Sequence, residues 1–147
     1  MKRISLVFIL LFFCCVQYAY ADITIRNSSG SQVATIDNSG RIRGSSGSHL
    51  GSIDSSGTVR DSSNGSIGTI DNSGTIRNSS GSSFGKINFS NGTLYNSSGS
   101  SCGEIKNDGA IRNRSNSKVG SCSSVSSDFE KKAVAAYLFF FGSNMLL

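Results

Sequence analysis

The sequence predicts an all-β protein: a shallow closed antiparallel barrel of tandem 17-residue β-hairpin repeats, with a short apolar C-terminal helix in or near its centre. Three observations predict this fold. An apolar residue recurs every 17 or 18 positions, each repeat carries two glycine-bearing turn signals, and one apolar run follows the last repeat. The length of 147 residues is enough for one domain.

The first 21 residues have the three-part pattern of a secretory signal peptide. Lys2 and Arg3 precede an apolar run over residues 4–16, which is too short for a comfortable membrane span. Ala19 and Ala21 then form a small-x-small cleavage site. Residues 1–21 are therefore interpreted as a signal peptide.

Cleavage after Ala21 predicts a mature chain that begins at Asp22 in the periplasm or outside the cell. The alternative is a cell-envelope lipoprotein acylated on Cys14 or Cys15. Neither cysteine follows the small residue that usually precedes an acylated cysteine, since Phe13 stands before Cys14.

Residues 22–127 carry five full copies of a repeat and a leading half unit. With Φ for an apolar residue, the unit reads I-D-N-S-G-x-I-R-x-S-S-G-S-x-Φ-G-x, and its apolar positions are 1, 7 and 15. Position 1 is Ile36, Ile53, Ile70, Ile87, Ile105 and Cys122; position 7 is Ile25, Ile42, Val59, Ile76, Leu94 and Ile111; position 15 is Val33, Leu50, Ile67, Phe84, Cys102 and Val119.

Each unit reverses direction twice, at Asn-Ser-Gly (positions 3 to 5) and at Ser-Ser-Gly (positions 10 to 12). Glycine suits the left-handed residue that closes a three-residue hairpin loop. Position 1 should then face position 7, and position 7 should face position 15, which puts all three on one side of a meander. The reversals disfavour the main rival fold, a parallel β-solenoid.

One conflict remains between positions 15 and 1, which are three residues apart and should alternate onto opposite faces. A bulge resolves it, and the expected site is the glycine at position 16. These glycines are Gly51, Gly68, Gly85, Gly103 and Gly120.

The one-sided meander needs a cover, and the run "AVAAYLFFF" over residues 133–141 is the available candidate. We expect residues 128–147 to pack into a barrel of about eleven strands, with Asp128 and Glu130 at the N-terminal end of a short helix. The alternatives are a membrane-surface anchor and a disordered tail.

Tandem "NSSGSxxGxIDxxGxIR" units followed by "AVAAYLFFF" closely resemble the bacterial 5-fold beta-flower proteins. The resemblance covers essentially the whole mature chain and implies a radially symmetric shallow barrel, similar in outline to Tubby-like C-terminal domains, where a hydrophobic helix threads a barrel. This chain departs from the pattern in the extra residue of "NFSNGTLYN", in two core cysteines and in the final "SNMLL". The resemblance implies no activity and no catalytic residues.

Position 8 carries the most suggestive series of side chains, because it lies next to an inward position and should face outward. Closure would arrange its arginines in a belt able to hold phosphates, lipid headgroups or acidic glycans. The simpler interpretation is that these arginines are solvated charges paired with neighbouring side chains; Glu104, for example, would lie opposite Arg112. The series is Arg26, Arg43, Arg60, Arg77 and Arg112, interrupted by Tyr95.

Asp37, Asp54 and Asp71 stand just before turns. Their carboxylates could bind calcium, or they could cap the turns by accepting backbone hydrogen bonds. Calcium-binding repeats have a denser aspartate pattern, so turn capping is the preferred interpretation and no metal is expected.

Cys102 and Cys122 could form a disulfide or remain two free thiols, and the sequence leaves both possibilities open. Two cysteines with no histidine nearby make a poor zinc site.

The composition favours a non-enzymatic protein that needs no cofactor. His49 is the only histidine, so the many serines lack a base. The net charge of +5 is a modest excess that could favour anionic surfaces but in a secreted protein more often serves solubility, so nucleic acid is not expected as a partner. An envelope lipid or glycan is the leading partner. The competing hypotheses are a purely structural or self-assembling barrel, a lipoprotein, and membrane association through the Phe-rich tail; the oligomeric state stays open.

Overall fold

The computed structural model describes residues 22–123, 125–142 and 144–146, so the predicted signal peptide lies outside the described residues. In these described ranges, twelve strands precede one short helix. The strands are β1 (Ile23–Asn27), β2 (Gln32–Ile36), β3 (Arg41–Gly44), β4 (His49–Ile53), β5 (Thr58–Asp61), β6 (Ser66–Ile70), β7 (Thr75–Asn78), β8 (Ser83–Ile87), β9 (Thr93–Asn96), β10 (Ser101–Ile105), β11 (Ala110–Asn113) and β12 (Lys118–Cys122). Helix α1 (Asp128–Ala136) runs into a π-helical turn (Tyr137–Phe141).

The strands form a closed antiparallel barrel, which confirms the predicted fold class. Each strand pairs with its sequence neighbour, and β1 closes the ring on β12, with Ile25 opposite Cys122. The structure has one strand more than the expected eleven because the leading half unit supplies two strands, β1 and β2. Closure leaves no unpaired sheet edge.

The first hairpin loop of each unit has the predicted register. Ile36 lies opposite Ile42, and Ile53 lies opposite Val59, so positions 1 and 7 face each other. The loop between them closes at a left-handed glycine, with φ of +80° at Gly40. Positions 1 and 7 are buried throughout the barrel.

The second loop differs from the prediction at positions 15 and 16. Ile42 lies opposite Gly51 and Arg43 lies opposite His49, so Leu50 is the extra, bulged residue. The same shift recurs in the other units, where position 15 is half-buried and packs on the rim of the core. The placement of the bulge at position 16 was therefore wrong: the glycine is the inward residue.

Helix α1 fills the barrel interior, and a capping box fixes its start. The Ser127 hydroxyl accepts from the Glu130 backbone N–H at 3.1 Å, and the Glu130 carboxylate accepts from the Ser127 backbone N–H at 2.8 Å. Asp128 and Glu130 occupy the first turn, as predicted. From Ala133 to Leu138 every residue is buried. No helix in the described ranges has the length and apolar character to cross a bilayer.

The inward glycines are small because the C-terminal segment packs on them. A Cβ added to Gly85 would lie 2.5 Å from a ring carbon of Phe139, so a larger residue at this glycine would collide with the tail. The leading half unit differs, since its position 16 is the buried Ala34. Each of these glycines faces a different large side chain: Gly51 faces Phe141, Gly68 faces Phe140, Gly85 faces Phe139, Gly103 faces Leu146 and Gly120 faces Met145.

Candidate anion-binding belt

The arginines of position 8 lie on one circumferential belt on the outside of the barrel. Each directly follows a buried position-7 residue, so alternation along the strand directs it outward. Successive position-8 residues, Tyr95 included, lie two strands apart, so their backbones are separated by about 9–10 Å. The members are Arg26 on β1, Arg43 on β3, Arg60 on β5, Arg77 on β7 and Arg112 on β11, with Tyr95 in the same place on β9.

Two of these arginines bind their own hairpin loops. Arg26 donates from Nη1 to the Gly30 carbonyl oxygen at 3.0 Å, and Arg112 donates from Nη1 to the Asn116 carbonyl oxygen at 2.8 Å. In the described part of the chain, the guanidinium groups of Arg43, Arg60 and Arg77 make no hydrogen bond and no ion pair. The arc from β3 to β7 therefore presents three guanidinium groups without a direct bonding partner in the described residues, although the charges of Arg60 and Arg77 help to lower the pKa of Asp54 and Asp71.

The predicted pairing of Arg112 with Glu104 is wrong at the level of the side chains. The two residues are cross-strand neighbours, as expected. The Glu104 carboxylate instead accepts from Lys106 Nζ at 3.0 Å, because the Arg112 guanidinium is already held by its loop. This is the one ion pair among the described residues.

The aspartates near the belt cap their turns, as predicted. Asp71 Oδ1 accepts from the Ser73 backbone N–H at 2.9 Å, the Ser73 hydroxyl at 2.6 Å and the Thr75 backbone N–H at 3.0 Å. Burial raises the pKa of Asp71, but these bonds and the charge of Arg77 outweigh it and lower the pKa overall. Within the described ranges no three His, Cys, Asp or Glu residues cluster as metal ligands would.

Cys102 and Cys122 both carry free thiols. Strand β11 lies between their strands, β10 and β12, so the two cysteines are two strand spacings apart, about 9–10 Å. That separation exceeds the roughly 7 Å between Cα atoms that a disulfide can span. Burial raises the pKa of Cys122 to about 12 and keeps this thiol protonated. A disulfide between Cys102 and Cys122 is incompatible with this arrangement.

Sequence reasoning missed two lysines that hold α1 in the barrel mouth. Lys131 and Lys132 are 6% and 5% exposed. Lys131 Nζ donates to the Phe89 carbonyl oxygen at 2.7 Å, and Lys132 Nζ donates to Asn72 Oδ1 at 3.1 Å. Both partners occupy position 3 of their units, so these bonds fix which units each helix face contacts. Position 3 carries no uniform signal for these bonds, because Asn72 accepts through its side chain and Phe89 through its backbone carbonyl.

His49 is exposed on β4, opposite Arg43, and has no hydrogen bond to a serine in the described residues.

The model of one protein family, described as "5-fold beta-flower protein", matches residues 17–141 of the chain. No curated protein and no solved structure matches the chain.

Proposed function

The chain belongs to the 5-fold beta-flower protein family and is a small structural β-repeat protein, and we propose that it acts as a secreted, non-enzymatic binder of anionic groups in the cell envelope. The ligands are phosphate or carboxylate groups, carried by lipid headgroups or by acidic glycans. The observation that carries the proposal is the arc of Arg43, Arg60 and Arg77 on the outer surface. Planar guanidinium groups bind such oxygens in a bidentate manner.

The packing of the Phe-rich tail supports the belt as the binding surface. Leu138 is 1% exposed, and the rings of Phe139, Phe140 and Phe141 lie against inward glycines. Membrane association through the tail would require these contacts to break. The outer belt binds without any change in the barrel.

The proposal includes export, with cleavage after Ala21 and a mature product in the periplasm or outside the cell. Intact-mass analysis of the secreted product tests this directly. A mass that begins at Asp22 supports it, whereas a diacylated product that begins at Cys14 or Cys15 would replace it with a lipoprotein.

Binding is tested by co-sedimentation with vesicles of phosphatidylcholine and phosphatidylglycerol, and in parallel by retention on immobilised polygalacturonate. The belt variant is Arg43→Gln, Arg60→Gln and Arg77→Gln together. Each arginine near an anionic membrane surface contributes about 1 kcal/mol, so the triple variant should bind these vesicles ~100-fold more weakly. The two arms separate a lipid source of the anionic group from a glycan source.

A matched control removes the same charge elsewhere: Lys106→Gln, Arg114→Gln and Lys118→Gln, which lie on the opposite side of the ring at β10 to β12. This variant should retain most of the binding. Equal losses in the two triple variants would show that net charge alone drives association, and the belt proposal would fail.

A further inference from the structure

A groove of about 510 Å³ runs along the outer face of the barrel over β7, β8 and β9. Its floor is a row of three cross-strand neighbours, Thr75 on β7, Lys86 on β8 and Tyr95 on β9. Polar groups flank the row on both sides: Asn88 on one side, and Ser83, Asn96 and Ser97 on the other. The groove therefore combines one aromatic ring, one ammonium group and several amides and hydroxyls.

This groove lies where a regular unit, which begins at Ile70, meets the most irregular unit, which begins at Ile87. In the irregular unit Tyr95 replaces the arginine of position 8. Lys86 is the last residue of the regular unit, at position 17, where the other units have Thr35, Ser52, Thr69, Glu104 and Ser121. The barrel does not require these substitutions, because the same strand positions pair equally well with arginine and small polar residues elsewhere. The groove thus differs chemically from the rest of the belt.

We propose that this groove binds an acidic sugar unit. The half-buried Tyr95 ring offers a flat apolar surface for the face of a pyranose ring, and the exposed Lys86 ammonium binds its carboxylate or phosphate. Asn88, Asn96 and Ser97 supply donors and acceptors for the sugar hydroxyls. This inference rests on the proposed function and narrows its ligand from anionic groups in general to acidic glycans.

Arg77 continues the site towards the rest of the belt. It lies opposite Ser83, which lines the groove, and the next belt member, Arg60, is two strands further on. A chain of acidic sugars could therefore place one residue on Tyr95 and the next acidic groups along the arginines. The groove gives selectivity for the sugar, and the arginines extend the contact.

The test is an NMR titration of the ¹⁵N-labelled secreted chain with tetragalacturonate, with neutral maltotetraose and inorganic phosphate as reference ligands. Amide shifts should concentrate in residues 75–99 and should be larger for tetragalacturonate than for either reference. Shifts spread evenly around all twelve strands would overturn the inference.

The most informative variant is Tyr95→Arg, which restores the repeat consensus and should fold as the other units do. If charge alone governed binding, the added arginine would strengthen it. We expect Tyr95→Arg to weaken tetragalacturonate binding roughly fivefold, because the ring surface is lost, and Tyr95→Phe to change it little. Lys86→Gln should also weaken binding, whereas Lys118→Gln, on β12, should not.

The two proposals fail in different ways. Tighter binding by Tyr95→Arg would overturn the sugar groove and leave the arginine belt intact. Normal tetragalacturonate binding by the triple arginine variant would overturn the belt and leave the groove.

Discussion

Gly85 faces the Phe139 ring across the barrel interior, and a Cβ at this position would lie 2.5 Å from one ring carbon and 3.0 Å from another. The nearest backbone atom, the Tyr95 carbonyl oxygen, would be 3.1 Å away. A new methyl group therefore meets mainly a side chain. At the residue scale, the absence of a side chain at position 16 makes room for the tail.

Gly85→Ala should lower the free energy of unfolding by roughly 1–3 kcal/mol, since the core cannot accept the methyl group without moving the ring. Urea denaturation measures the loss. Adding Phe139→Leu should recover part of it, because the two sites are in contact and their effects are not additive.

The matched control is Gly44→Ala, where the new Cβ would meet the Ser48 hydroxyl at 3.3 Å and the Leu50 side chain at 3.6 Å. This variant should stay within about 0.5 kcal/mol of the parent chain. Equal losses at Gly44 and Gly85 would contradict the packing of the tail against position 16.

Asp37, Asp54 and Asp71 give the hairpins a dependence on pH. The pKa of Asp54 is lowered first by the hydrogen bond from the Ser56 hydroxyl; in Asp37 and Asp71, turn hydrogen bonds outweigh the opposing effect of burial. At pH values between the lowered pKa of the folded state and the ordinary pKa of the unfolded state, the unfolded chain binds more protons than the folded one. The stabilisation is thus complete above the unfolded pKa and is lost as the pH falls through the folded pKa.

Thermal unfolding should therefore occur at lower temperature as the pH is reduced from about 5 towards 2. Replacing all three aspartates by asparagine should reduce this dependence and preserve stability at pH 7, since Asn27 and Asn78 accept the equivalent hydrogen bonds in the second kind of loop. The control is Asp22→Asn, an exposed carboxylate before β1. An unchanged pH profile in the triple variant would exclude turn capping as the source.

The two loops of each unit place different demands on their last residue. At position 12, Gly81 has a φ of +82° and nothing within 4 Å of an added Cβ. At position 5, Gly57 has a φ of +91°, and an added Cβ would collide with the Ile70 carbonyl oxygen. Gly57 also accepts from the Ile70 backbone N–H at 2.8 Å, which ties each unit to the next.

At the scale of the hairpin loop, the residue types found at positions 5 and 12 reflect this difference in available space. Asn64 and Asn116 replace glycine at position 12 with φ of +69° and +62°, whereas position 5 is glycine in every unit. Asparagine tolerates the left-handed region but brings a Cβ. Only the loops at position 12 have room for it.

Gly81→Asn should consequently change the free energy of unfolding by less than about 1 kcal/mol, and Gly57→Asn should reduce it by more than about 2 kcal/mol. Chemical denaturation of both variants provides the comparison, and each serves as the other's control. Similar effects would mean that backbone conformation alone selects glycine at position 5.

At the scale of the whole molecule, periodicity predicted the barrel because hairpin loops and the pairing of positions 1 and 7 are local properties. It failed for Leu50 and Gly51, since choosing the inward residue depends on what fills the barrel. The final residues were interpreted as a departure from the pattern, although Met145 and Leu146 cover the last two glycines. The barrel has five inward glycines, but the apolar run contains only three phenylalanines to pack on them. Two further large side chains were therefore needed, and they come from the final residues.

The outward direction of the arginines could be predicted from their place beside position 7. Their individual partners could not, because long side chains choose among nearby acceptors: Arg112 binds a loop carbonyl and Glu104 binds Lys106. The groove at Tyr95 also depends on three strands lying side by side, which the broken arginine series alone did not reveal.

The tail of the chain fills the barrel, and the proposed binding by the outer surface depends on this packing. The most direct test is a set of nuclear Overhauser effects in ¹³C,¹⁵N-labelled protein. We expect contacts from the ring protons of Phe139, Phe140 and Phe141 to the Hα protons of Gly85, Gly68 and Gly51 respectively. Absence of these contacts, with rapid hydrogen exchange over residues 133–141, would contradict this packing.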